Sequence, residues 1–231
     1  MNQSFLDSVL ENSYLPLYGI VVLLALWRFP RYYDTPLRYL PILLMYTFLN
    51  ELLGNFILYN NEISLILKEI YYNNNWVIFN IYNIVFFLYF YYVYYSYIPS
   101  KRHRKLIKVG AFAFLFTSVV NMFFQSFATQ PQLAAYILGA IVLIYGIFFY
   151  WNHLKVQYGV WFLTRDLLSW LSLGMLIFYF GYVPIKIARN YPSLYEFGSL
   201  LRELHLILII VMNGCFAIGF VRMRRRKLLI D

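Results

Sequence analysis

The run LPILLMYTFLNELLGNFILY, Leu40 to Tyr59, decides the fold. About twenty residues at 1.5 Å each make a helix about 30 Å long, the thickness of a bilayer's hydrocarbon core. The run is almost wholly apolar, yet its second half holds Asn50, Glu51 and Asn55. A carboxylate near mid-membrane costs roughly 2.5–3.5 kcal/mol on insertion scales, so Glu51 is expected to face protein or water rather than lipid. Asn55 follows Glu51 by four residues and shares its helix face.

Composition extends this reading to the whole chain. The 231 residues are 62% hydrophobic, 22% aromatic and 13% charged. A soluble domain carries about 25% charged residues, so the sequence predicts an integral membrane protein, all-α, with residues 1–231 as a single domain. The one cysteine, Cys215, excludes an internal disulfide and a cysteine-based metal site. There is no Gly-rich phosphate loop, and no cofactor is expected. Met1 to Ser13 holds Asp7 and Glu11 but no Lys or Arg, which does not fit a secretory signal. Phe5, Leu6, Val9 and Leu10 fit one face of a short interfacial helix.

Seven membrane spans are predicted, at about 14–29, 37–59, 76–98, 106–127, 132–151, 166–188 and 198–221. Ile63, Ile66, Leu67 and Ile70 follow helical spacing in the loop after the second span and predict a short surface helix. Arg28, Arg31 and Arg38 follow the first span. Lys101, Arg102, Arg104, Lys105 and Lys108 follow the third, Lys155 and Arg165 the fifth, and Arg222, Arg224, Arg225, Arg226 and Lys227 the seventh. Of the 19 Lys and Arg, this leaves Lys68, Lys186, Arg189 and Arg202 for the other face. The positive-inside rule then sets the N-terminus outside and the C-terminus in the cytoplasm, in the cytoplasmic (inner) membrane. The net charge of +9 is thereby read as orientation against an anionic inner leaflet, and nucleic acid is not expected as a partner.

Polar groups collect in the outer halves of the spans. Glu51 and Asn55 lie on span two, Asn80 and Asn83 on span three, Lys186 on span six, and Arg202, Glu203 and His205 on span seven. Arg202 and His205 are three apart and share a face, while Glu203 is turned roughly 100° away. Two readings stay open: a ligand pocket open to the outside, or a buried network in which amides and ion pairs knit the helices. Of the three histidines, His103 and His153 are assigned to inner loops, so His205 is read as a hydrogen-bonding or proton-linked residue and no metal site is expected. Ser118, Asn121 and Gln125 run down one face of span four as candidates for interhelical hydrogen bonds. Arg165-Asp166 reads as a helix start, with the acid at the positive end of the dipole. The tyrosines at the end of span three read as an interfacial belt. No lysine sits in the middle of span seven, which excludes a retinal protein of the microbial rhodopsin kind.

The run from Tyr33-Asp34-Thr35-Pro36-Leu37-Arg38-Tyr39-Leu40-Pro41 through Asn50-Glu51-Leu52-Leu53-Gly54 resembles uncharacterised seven-helix integral membrane proteins of flavobacterial type. That resemblance implies a receptor-like sensory module that binds a small-molecule ligand and signals through a separate protein at the cytoplasmic face. A second similarity is to membrane lysoplasmalogenases, whose early helices also set an acid before an apolar run. It would imply an intramembrane hydrolase using Glu51 and Glu203, although glutamate stands here where that family uses aspartate. A small transporter is the third alternative, sharing the seven-span topology.

Overall fold

The computed structural model describes residues 3–59, 76–159, 164–189 and 198–223. These form helices α1 (Gln3–Arg28), α2 (Leu40–Tyr59), α3 (Trp76–Tyr97), α4 (Lys101–Asn121), α5 (Leu133–Tyr158), α6 (Leu167–Ala188) and α7 (Gly198–Arg222), with single 3-10 turns at Phe29–Arg31 and Pro36–Tyr39. Six of them, all but α4, are long and apolar enough to cross a membrane. The chain is thus a multi-pass helical membrane protein. Phe116, Phe123, Phe124 and Phe180 are 71–82% exposed, which suits hydrocarbon rather than water.

Local chemistry explains the helix ends. Thr35 starts the turn before α2: its hydroxyl donates to the Tyr32 carbonyl at 2.7 Å and accepts from the Leu37 N–H at 3.2 Å. Asp166 caps α6 as the sequence predicts, accepting from the Ser169 N–H at 2.8 Å and from its hydroxyl at 3.0 Å. Tyr150 donates to the same oxygen at 2.7 Å.

Three boundaries differ from the sequence reading. The interfacial helix expected near Phe5–Leu10 is continuous with the first span as α1. Helix α4 begins at Lys101, within the basic run, and ends at Asn121; its first two turns hold the charges that keep it from matching the other six. Helix α5 continues seven residues past Trp151, so His153 and Lys155 are helical rather than in a loop. It stops at Gly159, whose φ of 78° is the left-handed conformation that only glycine adopts freely, and whose N–H bonds the Lys155 carbonyl at 3.1 Å. His103 likewise lies in the first turn of α4. The surface helix expected at 63–70 lies outside the described residues.

The chain divides into two units, Met1–Leu44 with Ile147–Asp231, and Met45–Gly146. In the first, α6 and α7 pack closely. A Cβ on Gly174 would lie 2.8 Å from the Met212 carbonyl, and one on Gly219 would lie 2.7 Å from Trp170, so small residues set the helix spacing. Helix α1 also packs on α7. Arg28 and Arg31 donate to the carbonyls of Val221 (3.3 Å) and Met223 (3.2 Å), the orphan acceptors at the end of α7. In the second unit Phe87 is the centre of an aromatic core. Its ring lies 5.4 Å from Phe114 and 5.7 Å from Tyr136, and it sits where Gly139 leaves room. Tyr91 donates to the Gly139 carbonyl at 2.8 Å.

Candidate functional site

The eight polar residues singled out from the sequence fall four in each unit. Lys186, Arg202, Glu203 and His205 belong to the first, and Glu51, Asn55, Asn80 and Asn83 to the second.

In the first unit the organising feature is a ring ladder between α6 and α7. Phe178, Tyr182 and Lys186 recur every four residues and so share one face of α6. His205 of α7 stacks on Tyr182, with centroids 4.2 Å apart and planes within 18°. Phe178 stacks on Tyr182 at 5.1 Å and lies 6.0 Å from His205. The Lys186 ammonium is 5.9 Å from the centre of the Tyr182 ring, and Lys186 is only 5% exposed. That distance is at the outer limit of cation–π attraction. One tyrosine ring therefore serves both an imidazole and a buried ammonium. Stacking occupies a face of His205 and leaves Nδ1 and Nε2 at its edge for hydrogen bonds.

The end of this hairpin is tied by Arg189, which donates to the Leu201 carbonyl at 3.2 Å and whose N–H bonds the Ile185 carbonyl at 3.0 Å. Arg202 is exposed, so it does not follow His205 inward although the two share a helical face. Glu203, expected to turn away, is half-buried, and its Oε1 is enclosed with no hydrogen bond among the described residues. The group thus sets a buried cation and an imidazole edge on a rigid aromatic backing.

In the second unit the residues do different work. Asn80 is a clamp: its amide donates to the carbonyls of Phe127 (2.8 Å) and Gln130 (2.9 Å), and its oxygen accepts from the Gln132 N–H at 3.4 Å. Its hydrogen-bonding groups are all engaged, which is the structural-network role. Asn121 continues the network to the side-chain oxygens of Gln125 and Gln132, each at 2.9 Å. Ser118 instead bonds its own helix at the Phe114 carbonyl. Asn83 lines a small cleft with Asn80, Ser118, Gln132 and Tyr136 that has space for about one water molecule. Asn55 donates to the Glu51 backbone carbonyl at 2.8 Å, one turn back in its own helix. Glu51 is half-buried. Tyr82 accepts from the Thr47 hydroxyl at 3.2 Å and lies 5.8 Å from the Tyr46 ring.

Sequence reasoning missed Phe178 and Tyr182, although their spacing from Lys186 is the signal that finds them. It also missed Gln132, and passed over Asn50 as a site residue although its amide nitrogen is buried without a partner among the described residues. No protein-family model, no curated protein and no solved structure matches this chain.

Proposed function

We propose that the chain is a receptor-like sensory protein of the cytoplasmic membrane. It crosses seven times, with its N-terminus outside and its C-terminus in the cytoplasm. It binds a small anionic molecule at the outer end of α6 and α7 and passes the signal to a separate cytoplasmic protein. Charge placement favours seven crossings over six. If α4 did not cross, Lys155, Arg165 and the basic run after α7 would fall on the side opposite to Arg28, Arg31 and Arg38, against the positive-inside rule. The basic first turns of α4 can reach the interface by snorkelling.

The observation that carries the ligand site is the buried Lys186 beside the stacked His205–Tyr182 pair. Ionisable groups buried within membrane spans usually serve function. An ammonium and an imidazole edge together suit a carboxylate or phosphate, and the rings give it a rigid wall. In the test, the purified chain in lipid nanodiscs is melted with a panel of small carboxylates and phosphates. At least one should raise the melting temperature by several degrees, and Lys186→Gln and His205→Gln should abolish that shift while the unliganded proteins remain folded. No stabilising anion, or equal shifts in the variants, would remove the reading. Release of a product from a lipid substrate would replace it with the hydrolase.

A further inference from the structure

Helix α4 carries Lys101, Arg102, Arg104, Lys105 and Lys108 in its first two turns, with no acid in the first. From residue 70 to residue 165 the sequence contains no Asp or Glu at all. Cations at a helix N-terminus also oppose its dipole. These charges therefore have no acidic complement on α3, α4 or α5. Arg104 lies over the Tyr95 ring at 4.3 Å, and its Nε is buried with no hydrogen-bond partner among the described residues.

Two cavities meet at this place. One, about 290 Å³, is lined by Tyr95, Lys101, Arg104, Lys105 and Lys108. The other, about 370 Å³, runs between α3 and α4 and is lined by Leu88, Tyr91, Tyr92, Ile107 and Ala111; it shares Tyr95 and Lys108 with the first. Together they form one cleft with a cationic mouth and an apolar, aromatic interior. From Lys101 to Ala111 is ten residues, about 15 Å of helix. That is about half of the 30 Å hydrocarbon core, the depth of one leaflet.

We propose that this cleft is a binding site for one anionic phospholipid. Its phosphate sits among Lys101, Arg104, Lys105 and Lys108, and one acyl chain lies along Leu88, Tyr92 and Ala111. Basic pockets beside membrane helices hold lipid headgroups by this combination of charge and groove. Free phosphate or an acidic protein segment would meet the cations and leave the apolar interior empty, so the groove favours the lipid.

The test measures lipid binding to the purified full chain in mild detergent by native mass spectrometry, with phosphatidylglycerol and phosphatidylcholine of identical chains. Phosphatidylglycerol should bind at least tenfold more tightly. Lys101→Gln/Arg104→Gln/Lys105→Gln/Lys108→Gln should reduce the preference to about twofold or less. If that variant does not fold, Arg104→Gln alone should weaken phosphatidylglycerol about fivefold. Ala111→Trp, which fills the groove and leaves the charges, should weaken it at least fivefold. Inorganic phosphate and polyglutamate, each added separately, should not displace the lipid. Equal affinity for the two lipids, an undiminished preference in the charge variants, or no effect of Ala111→Trp would overturn the proposal. Displacement by phosphate would reassign the mouth to a free anion, and displacement by polyglutamate would reassign it to an acidic protein.

Discussion

Replacing Gly174 by alanine tests the close approach on which the α6–α7 hairpin depends. The added Cβ would meet the Met212 carbonyl oxygen at 2.8 Å and the Cβ of Cys215 at 3.0 Å. The first contact lies about 0.6 Å inside the 3.4 Å at which ordinary contact begins, and it is with backbone, which cannot swing aside. Overpacking of this kind costs roughly 1–3 kcal/mol, while alanine in place of glycine returns up to about 1 kcal/mol of helix propensity. At the middle of the first range and the full propensity gain the net loss is about 1 kcal/mol, or about 2–4 °C in melting temperature for a chain of this size. Gly214, also in α7, is the internal control. A Cβ there meets nothing within 4 Å, so Gly214→Ala keeps only the propensity gain and should melt about 1–3 °C higher. Thermal unfolding of both variants in one detergent, followed by tryptophan fluorescence, gives the two signs. A Gly174→Ala protein as stable as wild type, or a destabilised Gly214→Ala, would refute the argument that helix spacing here is set by the missing side chain.

Asn80→Leu should destabilise by about 1–3 kcal/mol, since it strips the Phe127 and Gln130 carbonyls of their donor and membrane-buried hydrogen bonds average about 0.6 kcal/mol each before any orphaning cost; an unchanged denaturation midpoint would contradict the clamp. Asp166→Ala should cost about 2–4 kcal/mol, combining a lost cap with an orphaned Tyr150 hydroxyl, and Asp166→Asn should cost less. Equal melting of the two variants would count against that assignment. Reporter fusions after residue 68 and after residue 226 should label opposite faces of the membrane, and labelling on one face would exclude seven crossings.

Hydropathy and punctuation made most helix limits legible. Pro99 closes α3 and Asp166 opens α6, and both ends fall within a residue or so of the sequence reading. The misplaced limits have physical causes. Polar residues Asn152, His153, Lys155 and Gln157 tolerate helix as well as loop, and the true stop is a backbone conformation at Gly159. The basic start of α4 is invisible to a search for apolar length. For the site, the sequence marked the ionisable groups but not their partners. Tyr182 is one of 24 tyrosines, so its four-residue step to Lys186 did not stand out, and stacking with His205 depends on how two helices face each other. The carbonyls that Asn80 holds belong to the α4–α5 connection, and a backbone acceptor leaves no mark in residue type.

The arginines at the end of α1 fasten it to backbone 193 and 192 residues further on. During synthesis, α1 must therefore wait until α2 to α6 have been made before its partner helix exists. The unit Met45–Gly146 is one continuous stretch and can assemble meanwhile. Because closing so long a loop is slow relative to local pairing, α1 should be among the last of these helices to reach its native contacts. A ribosome stalled before residue 198 would leave α1 inserted but undocked, the form most open to membrane quality control.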